Sequence, residues 1–172
     1  MTLQAHTTIL AGQAVTIRPI RRSDTAMEAA FIRKLSLESK HYRFFGAVKE
    51  LSATEIQRLC SIDGPHDMAF VATVQDADSE IEIGVCRYAP DSKADDVREM
   101  ALTISDEWQH TDLGKVLGSH LISAARQFGV RQLYSLELAD NNRMREFAKE
   151  LGMTSSRDPH DAHQVIYSLA LK

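Results

Sequence analysis

The chain has 172 residues, 44% of them hydrophobic and 26% charged, which is enough for one sizeable core and ordinary for a globular domain. Its formal net charge of -4 runs against a nucleic-acid binder, which carries a marked basic excess. Cys60 and Cys86 are too few for a disulfide framework, and their apolar contexts predict buried free thiols.

The N-terminus lacks a charged region followed by an apolar run, so no signal peptide is expected. No segment approaches the ~20 apolar residues that span a bilayer. The expectation is one cytoplasmic domain over residues 1–172, with 1–14 as an N-terminal lead-in, no fused second domain and no membrane or nucleic-acid partner. "AVTIRPI" alternates apolar and polar residues and reads as a first strand. Arg18, Arg21 and Arg22 cluster there and read as a solvated junction between strand and helix. Ser23 or Asp24 is suited to cap a helix over roughly 24–37, with Met27, Ala30, Phe31 and Leu35 on one face.

"SKHYRFFGAVKE" reads as a loop with an unusual aromatic load. Ser52 and Glu55 have capping-box spacing and open a second helix with Ile56 and Leu59 inward. Strands follow at "MAFVATV", "EIEIGVCRYA" and "VREMALTIS"; their short polar links predict an antiparallel meander. After the turn in "WQHTDLGKVLGSH", Leu117, Leu121, Ala124 and Phe128 stripe a helix over about 113–128 that Gly129 stops. "VRQLYSLEL" is a strand, Met144, Phe147 and Leu151 stripe a short helix, and "HQVIYSLALK" is the last strand. The order β, α, α, three β, α, β, α, β gives an α+β fold around one mixed sheet, with a parallel pair formed across residues 97–138.

These motifs add up to a resemblance. Gln109-His-Thr-Asp112-Leu-Gly114 after a strand, Asn141-Asn-Arg-Met144 and Leu151-Gly152-Met153 resemble the core of the GNAT superfamily of acyl-CoA-dependent N-acyltransferases. Over most of the chain, "TIRPIRRSD", "LSLESKHYRFFGAVKELSATEI", "EMALTISDEWQ" and "NNRMREFAKELGM" look like the catalytic domain of bacterial Pat-type protein lysine acetyltransferases. The resemblance implies acetyl-CoA as co-substrate and an amine as acceptor, a protein lysine or a small amine.

It also implies a site. Main-chain amides of His110, Thr111, Asp112, Leu113, Gly114 and Lys115 would hold the pyrophosphate at a helix N-terminus, with the Lys115 charge beside them, and Gln109 opens the same cofactor-binding turn. The pantetheine arm would run past the main chain of Leu102 and Ile104 towards Asn141. Tyr42, Arg43 and Phe44 fall where an acceptor pocket would be lined. Glu99 matches the glutamate that acts as general base; the residues alone equally allow a solvent-facing glutamate paired with Arg98 or Arg87.

Two positions depart from the pattern. Asp112 stands where glycine is usual, so its carboxylate either faces the phosphates or points outward and caps the next helix; capping is the reading adopted. Ala148 replaces a tyrosine that protonates the leaving thiolate. Both departures motivate an alternative, a catalytically weak or inactive module that holds acyl-CoA or a partner. His160 and His163 offer only two imidazoles, so no metal site is expected; Tyr134 reads as core, and Asp106 and Glu107 as exposed turn residues.

Overall fold

A computed structural model describes residues 3–45, 50–91 and 94–172. Residues 46–49 of the aromatic-rich segment and 92–93 of the polar link before the third meander strand lie outside the described residues. The chain builds a mixed sheet of eight strands in the order β1-β2-β3-β4-β5-β6-β8-β7.

The N-terminal hairpin joins β1 (His6–Leu10) to β2 (Gln13–Pro19), so part of the expected lead-in is an edge strand. Its outward residues alternate little, which hid it. Helices α1 (Thr25–Lys34), α2 (Leu37–Phe44) and α3 (Ala53–Leu59) follow. α2 corrects the expected loop. Ser36 has extended backbone and accepts the Ser39 N–H at 3.1 Å, a working N-cap, and His41 and Arg43 sit at the helix end that favours positive charge. The Ser52 and Glu55 capping box forms as expected, with bonds of 3.2 and 2.7 Å.

Strands β3 (Met68–Asp76), β4 (Ser79–Asp91) and β5 (Ala94–Ile104) form the antiparallel meander. Helix α4 (Leu113–Gln127) then crosses over to β6 (Gln132–Leu138), which runs parallel to β5. Gly129, at φ +75°, reverses the chain after α4 where a side chain would be strained. Helix α5 (Asn142–Glu150) and strands β7 (Thr154–Arg157) and β8 (Gln164–Ala170) complete the fold. β7 is exposed along its whole length and has no apolar alternation to announce it.

The sheet is covered on both faces. α4 buries Leu113, Leu117 and Leu121 completely against Phe70, Cys86, Met100 and Leu133. Each such leucine contributes about 1.5–3 kcal/mol relative to exposure. Phe31 and Leu35 of the first helical region, with Ile56 and Cys60, cover the other face over Ala69, Val71 and Val85. Among the described residues no helix is long and apolar enough to cross a membrane.

Arg18 corrects the solvated-junction reading, because it is buried at 3% exposure. Its guanidinium donates to Asp24 at 2.7 and 3.0 Å and to Glu80 at 3.0 Å through two nitrogens, which satisfies it twice in bidentate geometry. Asp24 is therefore engaged with Arg18 and the Arg21 N–H, and its side chain makes no capping bond to α1.

Candidate functional site

β5 and β6 pair over only three residues, from Val97–Gln132 to Glu99–Tyr134. β6 continues against β8 alone, while β5 runs on beside β4, so the two parallel strands part beyond Glu99. The opening is a cleft of about 430 Å³. Leu102 and Ile104 line its β5 wall, and Ser135 and Glu137 line its β6 wall.

The far end of the cleft is the turn before α4. His110 has φ +61°, which bends the chain so that Gln109–Asp112 curl over the helix start. Thr111 Oγ donates to the Trp108 carbonyl at 2.6 Å and accepts the Leu113 N–H at 3.3 Å. The first helical bond runs from the Val116 N–H to the Asp112 carbonyl, and the N–H groups of Gly114 and Lys115 have no backbone acceptor among the described residues. Both residues line the cleft, so two unsatisfied donors and the positive helix end meet there.

Asp112 occupies the N-cap position, is exposed and makes no side-chain capping bond. This corrects the capping expectation, and the backbone gives the reason. Capping residues typically have non-helical ψ, whereas Asp112 has φ -73° and ψ 4°; Asn141, which caps, has ψ 83°, and Ser36 and Ser52, which also cap, have ψ near 160°. Leu113 does not join the site either. Its side chain is wholly buried in the core and its N–H is taken by Thr111.

Gln109 acts as a spacer between elements. Its amide donates to Ser39 Oγ at 3.1 Å and to the Ile104 carbonyl at 3.3 Å, and it accepts from Arg143. Arg143 also bonds Glu38, which ties α5 to α2 over the cleft. Asn141 is buried and caps α5 by accepting the Met144 N–H at 3.1 Å, so its Oδ1 is occupied and its Nδ2 donors remain for the cleft it lines. From α2, Tyr42 and Arg43 reach the cleft together with Ser39. Phe44 does not; it lies beneath the Arg43 guanidinium, 5.3 Å from ring centroid to Cζ, and Phe45 takes the cleft position instead. Helical spacing explains the exchange, since 39, 42 and 43 share a face that 44 leaves.

Asp106 is exposed but not idle. It accepts from the Ser36 N–H, Ser36 Oγ and Ser39 Oγ at 2.9, 2.6 and 2.7 Å. Partial burial opposes its charge, and these bonds outweigh that, holding its carboxyl below the usual aspartate value.

Glu99 stands at the vertex where the strands part and lines the cleft. The two arginines that would make it an ordinary surface partner are engaged elsewhere. Arg98 is buried and donates to the Asp95 and Val97 carbonyls; Arg87 donates to the Leu59 carbonyl and faces Glu28 at 3.5 Å. Glu137, which the sequence reading passed over as part of a strand, is a further carboxyl of the cleft, which Asp112, Glu146 and Glu150 also line. Burial pushes it up to about 7, against the Ser135 hydroxyl bond and the Arg43 charge, and Glu99 adds to the rise. Burial and Arg87 act against the Arg43 charge, while Glu28, Glu137 and Glu99 support it. A cleft with open backbone donors at one end and Glu99 and Glu137 among the carboxyls that line it suits transfer chemistry that removes a proton from a nucleophile.

No family model matches the chain. An acetyltransferase of Pseudomonas aeruginosa is 42% identical over 160 residues, which span 93% of this chain and 86% of that protein. The GNAT domain of S. lividans PAT superposes with a TM-score of 0.87 at 26% identity, covering 97% of each chain. A GNAT-family acetyltransferase from Streptococcus pneumoniae shares the fold, with a TM-score of 0.77 at 15% identity over 92% of this chain and 99% of that one.

Proposed function

Because the chain belongs to the GNAT acetyltransferases, we propose that it moves an acetyl group from acetyl-CoA directly to a primary amine, a protein lysine side chain, with Glu99 as general base. One observation carries this reading. A single cleft has at its vertex a carboxylate with no ion-pair partner among the described residues, and at its far end the free N–H groups of Gly114 and Lys115. The pyrophosphate would take those donors and the Lys115 charge, and the thioester would then lie along Leu102 towards Glu99. Glu99 accepts the amine proton, so the nitrogen lone pair is free to attack the thioester carbonyl. A lysine amine is mostly protonated near pH 7, which is why a base at this vertex matters.

The lysine acceptor rests on the four segments that resemble Pat-type enzymes and on Phe45, a cleft-lining residue exposed at 43%, which suits a polypeptide. Reduced thiols such as Cys60 and Cys86 fit a cytoplasmic setting. The test has two parts. Calorimetric titration with acetyl-CoA should give micromolar binding that Asp112→Gly changes less than about threefold, because an exposed carboxylate is well screened. Binding that appears only in Asp112→Gly would instead favour a protein that no longer uses acetyl-CoA. Transfer to a lysine-containing peptide should exceed transfer to a free polyamine at equal concentration; the reverse would move the acceptor to small amines.

A further inference from the structure

Resting on that reading, we propose that Glu137 is a second catalytic carboxyl, which delivers the proton taken up by the departing thiolate.

Ser135 and Glu137 share one face of β6, and the β8 residue opposite Ser135 is Tyr167, which packs with Met144 and Ala148 of α5. Glu137 therefore flanks the cleft on the side covered by α5, while Glu99 stands at the vertex on the opposing strand. Ala148 holds no proton, and Tyr134, pushed up to about 12 by burial and by Glu99, does not line the cleft.

The carboxyl is held through one oxygen only. Ser135, 1% exposed, donates its hydroxyl to Glu137 Oε1 and fixes the group through that oxygen. Oε2 has no hydrogen-bond partner among the described residues, so it is the oxygen able to carry and present a proton. Charged groups bearing on it are Arg43 from α2 and Glu99 from β5; α5 adds Arg143, Glu146 and Glu150 to the same cleft, and β8 places apolar Val165 opposite. With a value near 7 the carboxyl is substantially protonated at neutral pH and is still a stronger acid than a thiol of pKa about 8.5.

The step balances. The lysine ammonium passes its first proton through Glu99 to bulk water, so Glu99 is again a carboxylate when the neutral nitrogen bonds to the carbonyl carbon and gives it a second proton. The carbon–sulfur bond breaks with its electron pair on sulfur, and sulfur takes the Glu137 proton. Water then carries the proton held by Glu99 back to Glu137, which restores both carboxyls and leaves an amide and a thiol.

The test compares wild type with Glu137→Gln, a near-isosteric change that still accepts from Ser135. Each is assayed from pH 6 to 9 with acetyl-CoA and with an acetyl aryl thioester, whose acidic thiol leaves without protonation. With acetyl-CoA, kcat should fall about 100-fold with little change in KM, and the wild-type decline above pH 7 should vanish. With the aryl thioester the variant should come within about threefold of wild type, since no acid is needed there. Equal losses with both donors, or an unchanged pH profile, would overturn the proposal and leave Glu137 as a partner for Arg43. Glu137→Ala with the same profile as Glu137→Gln would confirm that the proton, not the shape, is lost. A wild type that acetylates no amine would overturn this proposal and the acetyltransfer reading together, whereas an active wild type matched by Glu137→Gln overturns only this one.

Discussion

Ser39 and Asp106 lie 67 positions apart in the chain and meet through a 2.7 Å hydrogen bond from hydroxyl to carboxylate. Together with the two bonds from Ser36, this contact fastens α2 to the end of β5 and so sets the cleft wall that carries Tyr42 and Arg43. Asp106→Ala should free the start of α2. We expect a loss of about 1–2 kcal/mol, moderated by solvent at this exposed site, and a larger effect on acceptor KM than on acetyl-CoA affinity. Thermal unfolding and steady-state kinetics measure the two.

Arg18 and Asp24 lie in the interior, with the half-buried Glu80 at their edge, and this group should behave differently. Burial opposes the Asp24 charge, but the bonds from Arg18 and the Arg21 N–H hold its carboxyl below the ordinary aspartate value. Asp24 therefore contributes stability that is present above the unfolded pKa of about 3.8 and is lost as pH falls through its lower folded value. Arg18→Ala leaves Asp24 uncompensated and should cost about 3–5 kcal/mol. Arg18→Met together with Asp24→Leu should cost less than the single change, which chemical denaturation of the two variants would reveal.

Glu82 carries the opposite sign. It is 4% exposed, neither oxygen has a hydrogen-bond partner of normal geometry, and burial together with Glu28 raises its carboxyl far above the ordinary range. Below the unfolded value of about 4.5 both states hold the proton and nothing is lost. Above it the unfolded chain ionises while the folded site keeps its proton, so stability falls as pH rises towards the folded value. Glu82→Gln removes that dependence, and its amide can donate to the unpartnered Glu28 Oε2. We expect a gain on the order of 1–3 kcal/mol at pH 8 and little change near pH 4.5, read from denaturation midpoints at the two pH values.

Much of this arrangement is legible without coordinates where burial imposes a period. The strands of the meander, the leucine stripe of α4 and the parallel β5 and β6 all follow from apolar residues that must face a core. The site is harder to read because its residues face a cleft. Ser39, Tyr42 and Arg43 share one face of α2 and leave no apolar stripe, so the helix passes for a loop. Ser135 and Glu137 interrupt an otherwise apolar strand, which is the one signal that could have singled out Glu137. Arg18 misleads for a related reason, since its partners Asp24 and Glu80 converge on it only after the sheet forms. For Asp112, residue type suggests a cap, but its near-helical ψ goes with a side chain that makes no capping bond.

The central claim is that Glu99 takes the amine proton, and Glu99→Gln tests it most directly. Acetyl transfer to a lysine peptide and calorimetric binding of acetyl-CoA should be measured on the same preparation. We expect kcat to fall by about 100- to 1,000-fold while acetyl-CoA affinity stays within about threefold of wild type. A Glu99→Gln enzyme that turns over within threefold of wild type would contradict the account and leave Glu99 as an exposed strand-end carboxylate.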